Sequence, residues 1–495
     1  MRKTQYASGF LIFWLLGILA FPLYALPEFW TTETPLSPGT ARSSEPAICA
    51  RGEELFVAWS DNRLGRWEIF FRSSPDGGVT WTPEERVTPL PLGEGKGAVQ
   101  PAIACDRQRV YLVWQSLSPS IGERNPTQSQ IGYKSWDGVT WSPPQILSRG
   151  GASVRRPKIA TTKIFPSGLI YVVWEAQTGS RTTAYITRSG DGGRTWLNPQ
   201  PITSGSWDTG EPNVTGGIRS AYVTWRDSRE ATSQIYVKRW DEVTAIEDFH
   251  LASIGNCRRP SIAVLESQVF VAWECSLSDI SPANIFTSES PDEGETWGIA
   301  QQISVNTAES ILPQIIATPD DAWIFWQDGQ SGNWEIHFPQ RLTEEQQWTP
   351  DQPFTANNTD SILPAVTASV APLPPAGEKG GPPLHLVWVE RPDAAVSTIF
   401  YTRRDTRPPE RPPQPSHIDL DAPPGFDNDS RLTFTWETPP PPPLRFPLPS
   451  RGGVGGEVQY HVFVSIDGGD FTEIGSTDKG IFEFDGEDNK LYRVR

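Results

Sequence analysis

Apolar residues in this chain come in short runs rich in Val, Ile, Phe, Tyr and Trp, parted by Gly, Pro, Asp and Ser, and no long stretch repeats them at helical spacing. Residues 46–81, PAICARGEELFVAWSDNRLGRWEIFFRSSPDGGVTW, hold three such runs and end in a Gly-rich turn. The same order returns six more times. Each copy opens on a proline followed two positions later by Ile or Val: Pro46, Pro101, Pro157, Pro212, Pro260, Pro313 and Pro364. Each second run ends on a tryptophan: Trp59, Trp114, Trp174, Trp225, Trp273, Trp326 and Trp388. In five copies the tryptophan lies 13 residues after the proline; the other two carry inserts at 165–168 and 371–383. A third strand follows, as over Glu68–Ser73, Thr183–Arg188, Gln234–Arg239 and Thr398–Arg403, and a fourth run with Ile, Val or Phe completes the unit.

Four antiparallel strands repeated about every fifty residues predict propeller blades, because one twisted four-stranded sheet hides its faces only against neighbours. The expected fold class is all-β: a seven-bladed β-propeller over residues 28–405, plus a small C-terminal β-sandwich. The seventh repeat runs out at Asp405, whereas Trp30–Ser37 reads as a fourth strand without its first three. The N-terminal strand therefore closes the ring. Composition agrees: 21 Trp and 48 Pro against one Met suit strands and turns rather than helices.

Outside the repeats, residues 1–25 have the form of a secretory signal, with Arg2 and Lys3 before an apolar run from Phe10 to Ala20. The expected location is outside the cytoplasm, secreted or at the cell surface or periplasm, with no membrane span after cleavage. Residues 406–416, TRPPERPPQPS, read as a stiff linker. A net charge of −17 excludes the basic surface that nucleic acid or anionic membrane would require. None of the five His lies in a Cys/His cluster, so neither a metal site nor a cofactor is expected. Cys257 and Cys275 fall opposite each other on the first hairpin of the fifth repeat, which predicts a disulfide; Cys49 and Cys105 lie on neighbouring first strands with opposite parity, so they either face each other or diverge.

Four repeats close on an aspartate turn: Ser74-Pro75-Asp76-Gly77-Gly78-Val79-Thr80-Trp81, Ser135-Trp136-Asp137-Gly138-Val139-Thr140-Trp141, Ser189-Gly190-Asp191-Gly192-Gly193-Arg194-Thr195-Trp196 and Ser290-Pro291-Asp292-Glu293-Gly294-Glu295-Thr296-Trp297. An Asp at this place can accept the amides of its own turn, while Gly supplies positive φ. This register resembles the Asp-box, or BNR-repeat, propellers of the sialidase-like superfamily. The resemblance implies that Asp76, Asp137, Asp191 and Asp292 are structural, on the face away from the ligand. Enzymatic members have six blades, so seven repeats depart from them. Residues 417–495 resemble a fibronectin type III module, with Trp436 in its second strand, Tyr492 near the end of its sixth and a Pro-Gly insert at 439–456; the sequence stops where a seventh strand would begin.

In a propeller the loops after second strands share one face with those leading into first strands. That face collects Asp61 and Arg63, Arg155 and Arg156, Glu175, Asp227 and Arg229, Arg258 and Arg259, Glu274, Asp328, and Glu390 and Arg391. Carboxylates and guanidiniums round a channel suit a polar or anionic sugar, since Arg grips carboxylate bidentately; the bland reading is mutual neutralisation. The resemblance would place three Arg, a Tyr–Glu pair and an Asp in a catalytic site. The tyrosines here fall in strand positions that read as blade packing, and the family's Arg-Ile-Pro signature is missing at Arg156-Pro157 and Arg259-Pro260. The expectation is an exported, non-catalytic binding or adhesion protein recognising a glycan or cell-surface component. The alternative is an exo-acting sialidase-type glycoside hydrolase, and a scaffold for other exported proteins is a third reading. Ligand identity and oligomeric state are not encoded in any motif.

Overall fold

Among the described residues the apolar runs of the repeats become strands, and each repeat becomes one antiparallel sheet whose strands follow in chain order, the N-terminal strand completing the last. Blade one is Ser43–Arg51, Glu54–Asp61, Glu68–Ser74 and Glu85–Arg86. The inner strands of the next six blades are Gly97–Cys105, Ser153–Thr161, Thr209–Gly216, Asn256–Leu265, Ser310–Ala317 and Asp360–Ala368. The computed structural model describes residues 30–404, apart from short stretches at 89–96, 118–128, 149–151, 164–167, 231, 241–247, 253–254, 279, 320, 343–345 and 370–381, and, further on, the backbone of five strands between 431 and 494. The signal segment, the 406–416 linker, Trp436 and the 439–456 insert lie outside the described residues. Among the described residues no helix is long and apolar enough to cross a membrane.

The ring closes as the unmatched N-terminal strand predicts. Thr34–Pro35 pairs antiparallel with Thr398–Arg404, completing the sheet of blade seven, and Ser37 Oγ accepts the Ile399 amide at 2.9 Å. The fourth strands are shorter than their sequence runs, two residues each, because the chain leaves the edge almost at once; a short edge resists pairing with another molecule. In blade six Pro339 breaks the third strand into Glu335–Phe338 and Gln340–Leu342.

The core is divided into seven apolar clusters, each built from two neighbouring blades. Each second-strand tryptophan is buried and faces its third-strand partner: Trp59 on Phe70, Trp174 on Tyr185, Trp225 on Tyr236, Trp273 on Phe286, Trp326 on His337 and Trp388 on Phe400, with centroids 5.9–6.4 Å apart. Such stacks add about 0.5–1.5 kcal/mol each beyond area burial. In blade two the partner is Gly132, where a Cβ would lie 2.4 Å from the Trp114 ring; the indole fills the space itself.

The Asp boxes are turns of one construction. In blade one Asp76 Oδ1 accepts the Ser74 hydroxyl and the Thr80 amide, each at 2.8 Å, and Oδ2 accepts the Thr80 hydroxyl at 2.6 Å. Asp191 and Asp292 repeat the set, while the shorter turn of blade two gives Asp137 the Val139 and Thr140 amides. The tyrosine of the preceding blade covers the turn. A Cβ on Gly78 would meet the Tyr401 hydroxyl at 1.8 Å, and one on Gly193 the Tyr133 hydroxyl at 1.7 Å.

Cys257 and Cys275 are bonded across the first hairpin of blade five, and Cys49 and Cys105 across the seam of blades one and two, with Cα atoms 6.1 Å apart; the facing geometry is the one adopted. Residues 408–495 form a second unit, in which Arg431–Thr435 pairs with Ile481–Asp485, and Tyr460–Ile466 lies between Thr472–Thr477 and Tyr492–Val494.

Candidate functional site at the channel mouth

The residue before each repeat proline adopts a left-handed backbone. Glu45, Gln100, Arg156, Glu211, Arg259, Leu312 and Leu363 have φ between 51 and 59°, and each forms, with its proline, a bulge in the inner strand. Non-glycine residues held there cost on the order of 1–3 kcal/mol each, so the surroundings must fix them. For six of the seven they do so through side chains of the preceding blade. The Gln100 amide donates to Glu45 Oε2, Arg156 to Gln100 Oε1 and Arg259 to Glu211 Oε2, at 2.7–2.8 Å. Where the preceding bulge residue is Arg or Leu, the residue after the second-strand tryptophan takes over: Glu211 donates to Glu175 Oε2, Leu312 to Glu274 Oε2 and Leu363 to Gln327 Oε1, again at 2.7–2.8 Å.

This belt surrounds the central channel, a cavity of about 460 Å³ lined by the bulges and the prolines of all seven blades. The position after each proline reads Ala47, Ala102, Lys158, Asn213, Ser261, Gln314 and Ala365, so one side of the lumen is polar and the other lined by alanine. Burial holds the Lys158 ammonium below the usual lysine range, against the pull of Glu45.

The candidate residues of the sequence separate into two sets by strand parity. One position after the tryptophan, Glu175 and Glu274 are buried beneath the mouth. Glu175 Oε1 receives Arg155 Nε and, at 2.9 Å, Arg156 Nη1; Glu274 Oε1 receives Arg258 Nε at 2.6 Å and Arg259 Nη1 at 3.1 Å. The four arginine side chains stay 31–47% exposed above carboxylates that are almost wholly enclosed. Burial raises the Glu274 pKa, with Arg259 and the Leu312 amide opposing.

Two positions after the tryptophan, the acids turn away from the channel into the blade. Trp59, Trp225, Trp326 and Trp388 donate their indole N–H to Asp61, Asp227, Asp328 and Glu390 at 3.0–3.4 Å. Ser43, Ser310 and Ser361 add hydroxyl donors to Asp61, Asp328 and Glu390. Arg63 bridges Asp61 and Glu84 over the Phe70 ring, Arg229 bridges Asp227 and Asp248 over Tyr236, and Arg391 pairs with Asp360. Burial works against ionisation of Asp61, but the bonds from Arg63 outweigh it and hold the carboxyl low. These pairs satisfy each other, as the neutralisation reading has it, and the fold brings the rim arginines and their glutamates together at the channel.

Sequence reasoning missed the belt of Glu45, Gln100, Glu211 and Gln327 and the lumen position of Lys158. Their signal was present in the residues just before and just after each repeat proline and, for Gln327, just after the second-strand tryptophan. It also missed a grouping of Asp328, His337 and Asp351, whose ligand atoms all lie within 4.8 Å of one another.

The loop after the second strand bonds to the residues leading into the first, as in Asn62 N to Arg42 O at 3.1 Å and Gly329 N to Glu309 O at 3.0 Å. The Asp boxes bond to the hairpin turns at the other end, as in Gly77 N to Glu53 O at 2.8 Å. Four tyrosines lie there too: Tyr111 donates to Asp106, Tyr133 and Tyr401 reach the Asp boxes, and Tyr222 lies beside Gly294, whereas Tyr185 and Tyr236 stack on Trp174 and Trp225. Burial pushes the Tyr222 phenol up to about 12 and raises Tyr111 and Tyr133 as well, the reverse of an activated nucleophile.

No family model matches the sequence, and neither does any curated protein. Among solved structures, this chain is similar to the Hadza microbial sialidase Hz136 (16% identity, 62% of this chain and 66% of that one, TM-score 0.43). It is also similar to Trypanosoma rangeli sialidase in complex with the inhibitor DANA (11%, 73% and 55%, 0.45) and to the intramolecular trans-sialidase from Ruminococcus gnavus in complex with oseltamivir carboxylate (10%, 74% and 96%, 0.42). The chain thus spans about two thirds or less of the first two. The seven-bladed assignment rests on the strand order itself.

Proposed function

We propose that this is an exported binding protein whose channel mouth recognises an anionic glycan or a comparable surface component, without turning it over. The observation that carries the reading is the pairing of Arg155 and Arg156 with Glu175, and of Arg258 and Arg259 with Glu274: buried carboxylates hold half-exposed guanidiniums from below and leave donors directed to solvent. The half-exposed guanidiniums suit a carboxylate-bearing sugar, and the polar side of the lumen offers its hydroxyls Asn213, Ser261 and Gln314. Hydrolysis of the sialidase type would ask for a tyrosine nucleophile at this mouth; the described residues lining the channel include none.

The full chain on an array of neutral and acidic glycans tests the reading. Retention of acidic glycans that falls about tenfold or more in an Arg156→Ala/Arg259→Ala variant is the expected result. A fluorogenic sialoside is expected to stay intact; turnover abolished by the same substitutions would replace this reading with the hydrolase.

A further inference from the structure

The outer corners of blades one, four and six are built on one plan, and the third lacks a part. In each, an aspartate two residues after the tryptophan (Asp61, Asp227, Asp328) faces an acid that directly precedes the fourth strand (Glu84, Asp248, Asp351). In blades one and four an arginine two residues beyond the aspartate lies between the two acids. Arg63 Nη2 is 2.7 Å from Asp61 Oδ2 and Nη1 contacts Glu84; Arg229 Nη2 is 2.7 Å from Asp227 Oδ2 and 2.8 Å from Asp248 Oδ2. Each guanidinium lies over the third-strand ring that partners the tryptophan, Phe70 at 4.3 Å and Tyr236 at 4.0 Å.

Blade six keeps both acids and the turn. The Gln330 amide donates to Asp328 Oδ1 at 3.0 Å, as the Arg63 and Arg229 amides do to their aspartates at 2.9 Å. The arginine has become Gln330, and the aromatic ring has become His337. Two carboxylates therefore face each other without the guanidinium that bridges them elsewhere, and an imidazole stands where the ring stood. His337 Nδ1 is buried without a hydrogen-bond partner, 3.5 Å from Asp351 Oδ2. Asp328 Oδ2 is occupied by Ser310, Asn306 and Trp326, which leaves its Oδ1 with the Gln330 amide.

We infer that this corner binds a divalent metal ion of the zinc class, ligated by Asp328 Oδ1, His337 Nδ1 and Asp351, in the place that an arginine holds in blades one and four. Three protein ligands of nitrogen and carboxylate oxygen with positions left for water suit such an ion, whereas calcium prefers six or more oxygens. The ion would restore the charge balance of the corner and tie the fourth strand to the end of the second. The expectation from sequence, that no metal site exists, rested on the lack of a Cys/His cluster; this set is spread over 24 residues and assembled by the second and third strands of one blade and the residue before its fourth.

The test uses the full chain after dialysis against a chelator, with zinc chloride as probe and calorimetry and thermal melts as readouts. One zinc per chain is expected, with a rise in melting temperature of roughly 3–6 °C at saturating metal. Gln330→Arg rebuilds the guanidinium bridge, so it should fold, melt at or above the metal-free wild type, and lose this zinc response. His337→Phe, which copies blade one, should lose it too. Zinc binding retained in Gln330→Arg overturns the site. So does a wild type that ignores zinc and instead shows, by NMR, a His337 imidazolium serving as the bridging cation. Calcium binding in preference to zinc overturns the metal class.

Discussion

At Gly193 two demands meet on one residue: its φ is +82°, and the Tyr133 hydroxyl from the neighbouring blade leaves 1.7 Å for any added Cβ. Gly193→Ala is expected to cost about 2–4 kcal/mol in denaturant unfolding, from the left-handed backbone and the forced movement of a buried phenol. Tyr133→Phe removes the nearest atom and should recover part of that loss in the double variant. A cost equal in both backgrounds would remove the contact from the explanation. The half of this turn written in local sequence, the Ser, Asp, Gly and Thr of the box, was legible because its bonds run within a few residues. The tyrosine was not, because it comes from the preceding repeat. Asp191 itself is held at about 2: partial burial opposes ionisation, but the Thr195 hydroxyl and amide and the Ser189 hydroxyl more than offset it. Its folded pKa lies below the unfolded value, so its support is complete above about pH 4 and is lost as the pH falls toward 2.

The left-handed bulges show how one element is made to depend on the next. Six of the seven bulge residues point their amides at a side-chain oxygen of the preceding blade, and two sequence positions share the duty of supplying it. Blades one, two and four supply it from the bulge residues Glu45, Gln100 and Glu211; blades three, five and six supply it from Glu175, Glu274 and Gln327. Gln327→Leu should therefore strand the Leu363 amide and destabilise the chain by about 1–3 kcal/mol. Gln115→Leu, at the same place in blade two, should fall within about 0.5 kcal/mol of wild type, because Gln100 already serves Arg156. Equal losses at both sites would show that the substitution, rather than the acceptor, sets the cost. The repeat register legible in the sequence located every one of these residues, yet it gathered Asp61, Glu175 and Asp328 onto one surface. Successive strand positions face opposite ways, so Glu175 belongs to the channel while Asp61 and Asp328 belong to the blade corner. Counting from the tryptophan would have separated them; counting along the loop did not.

Across the whole ring, the seam between blades seven and one is made differently from the other six. Neither Leu363 nor Val389 of blade seven offers Glu45 a side-chain acceptor. The seam is held instead by the strand Thr34–Pro35, by Ser397 against Ser43, and by a chain of polar contacts in which His385 Nδ1 meets the Tyr401 hydroxyl at 2.9 Å and Tyr401 donates to the Gly77 carbonyl at 3.1 Å. His385 is fully buried, with Nε2 2.9 Å from Ser369 Oγ, and burial, aided by Arg403, lowers its pKa to about 3. The imidazole is thus neutral in the fold but titrates near 6.5 in the unfolded chain. The unfolded state binds the extra proton between those values, so stability is complete above about pH 6.5 and falls as the pH drops, by up to about 1.4 kcal/mol per pH unit for this one group. Glu274 has the opposite sign, since its raised pKa adds stability as acid is added, so the His385 contribution must be read as a difference between proteins. Urea unfolding of wild type and His385→Gln at pH 7.5, 6.5, 5.5 and 4.5 isolates it: the variant loses some stability at every pH, and the gap should narrow steadily from pH 6.5 downward. A constant gap would mean that His385 does not carry a proton cost, and that acid opens the ring at another seam.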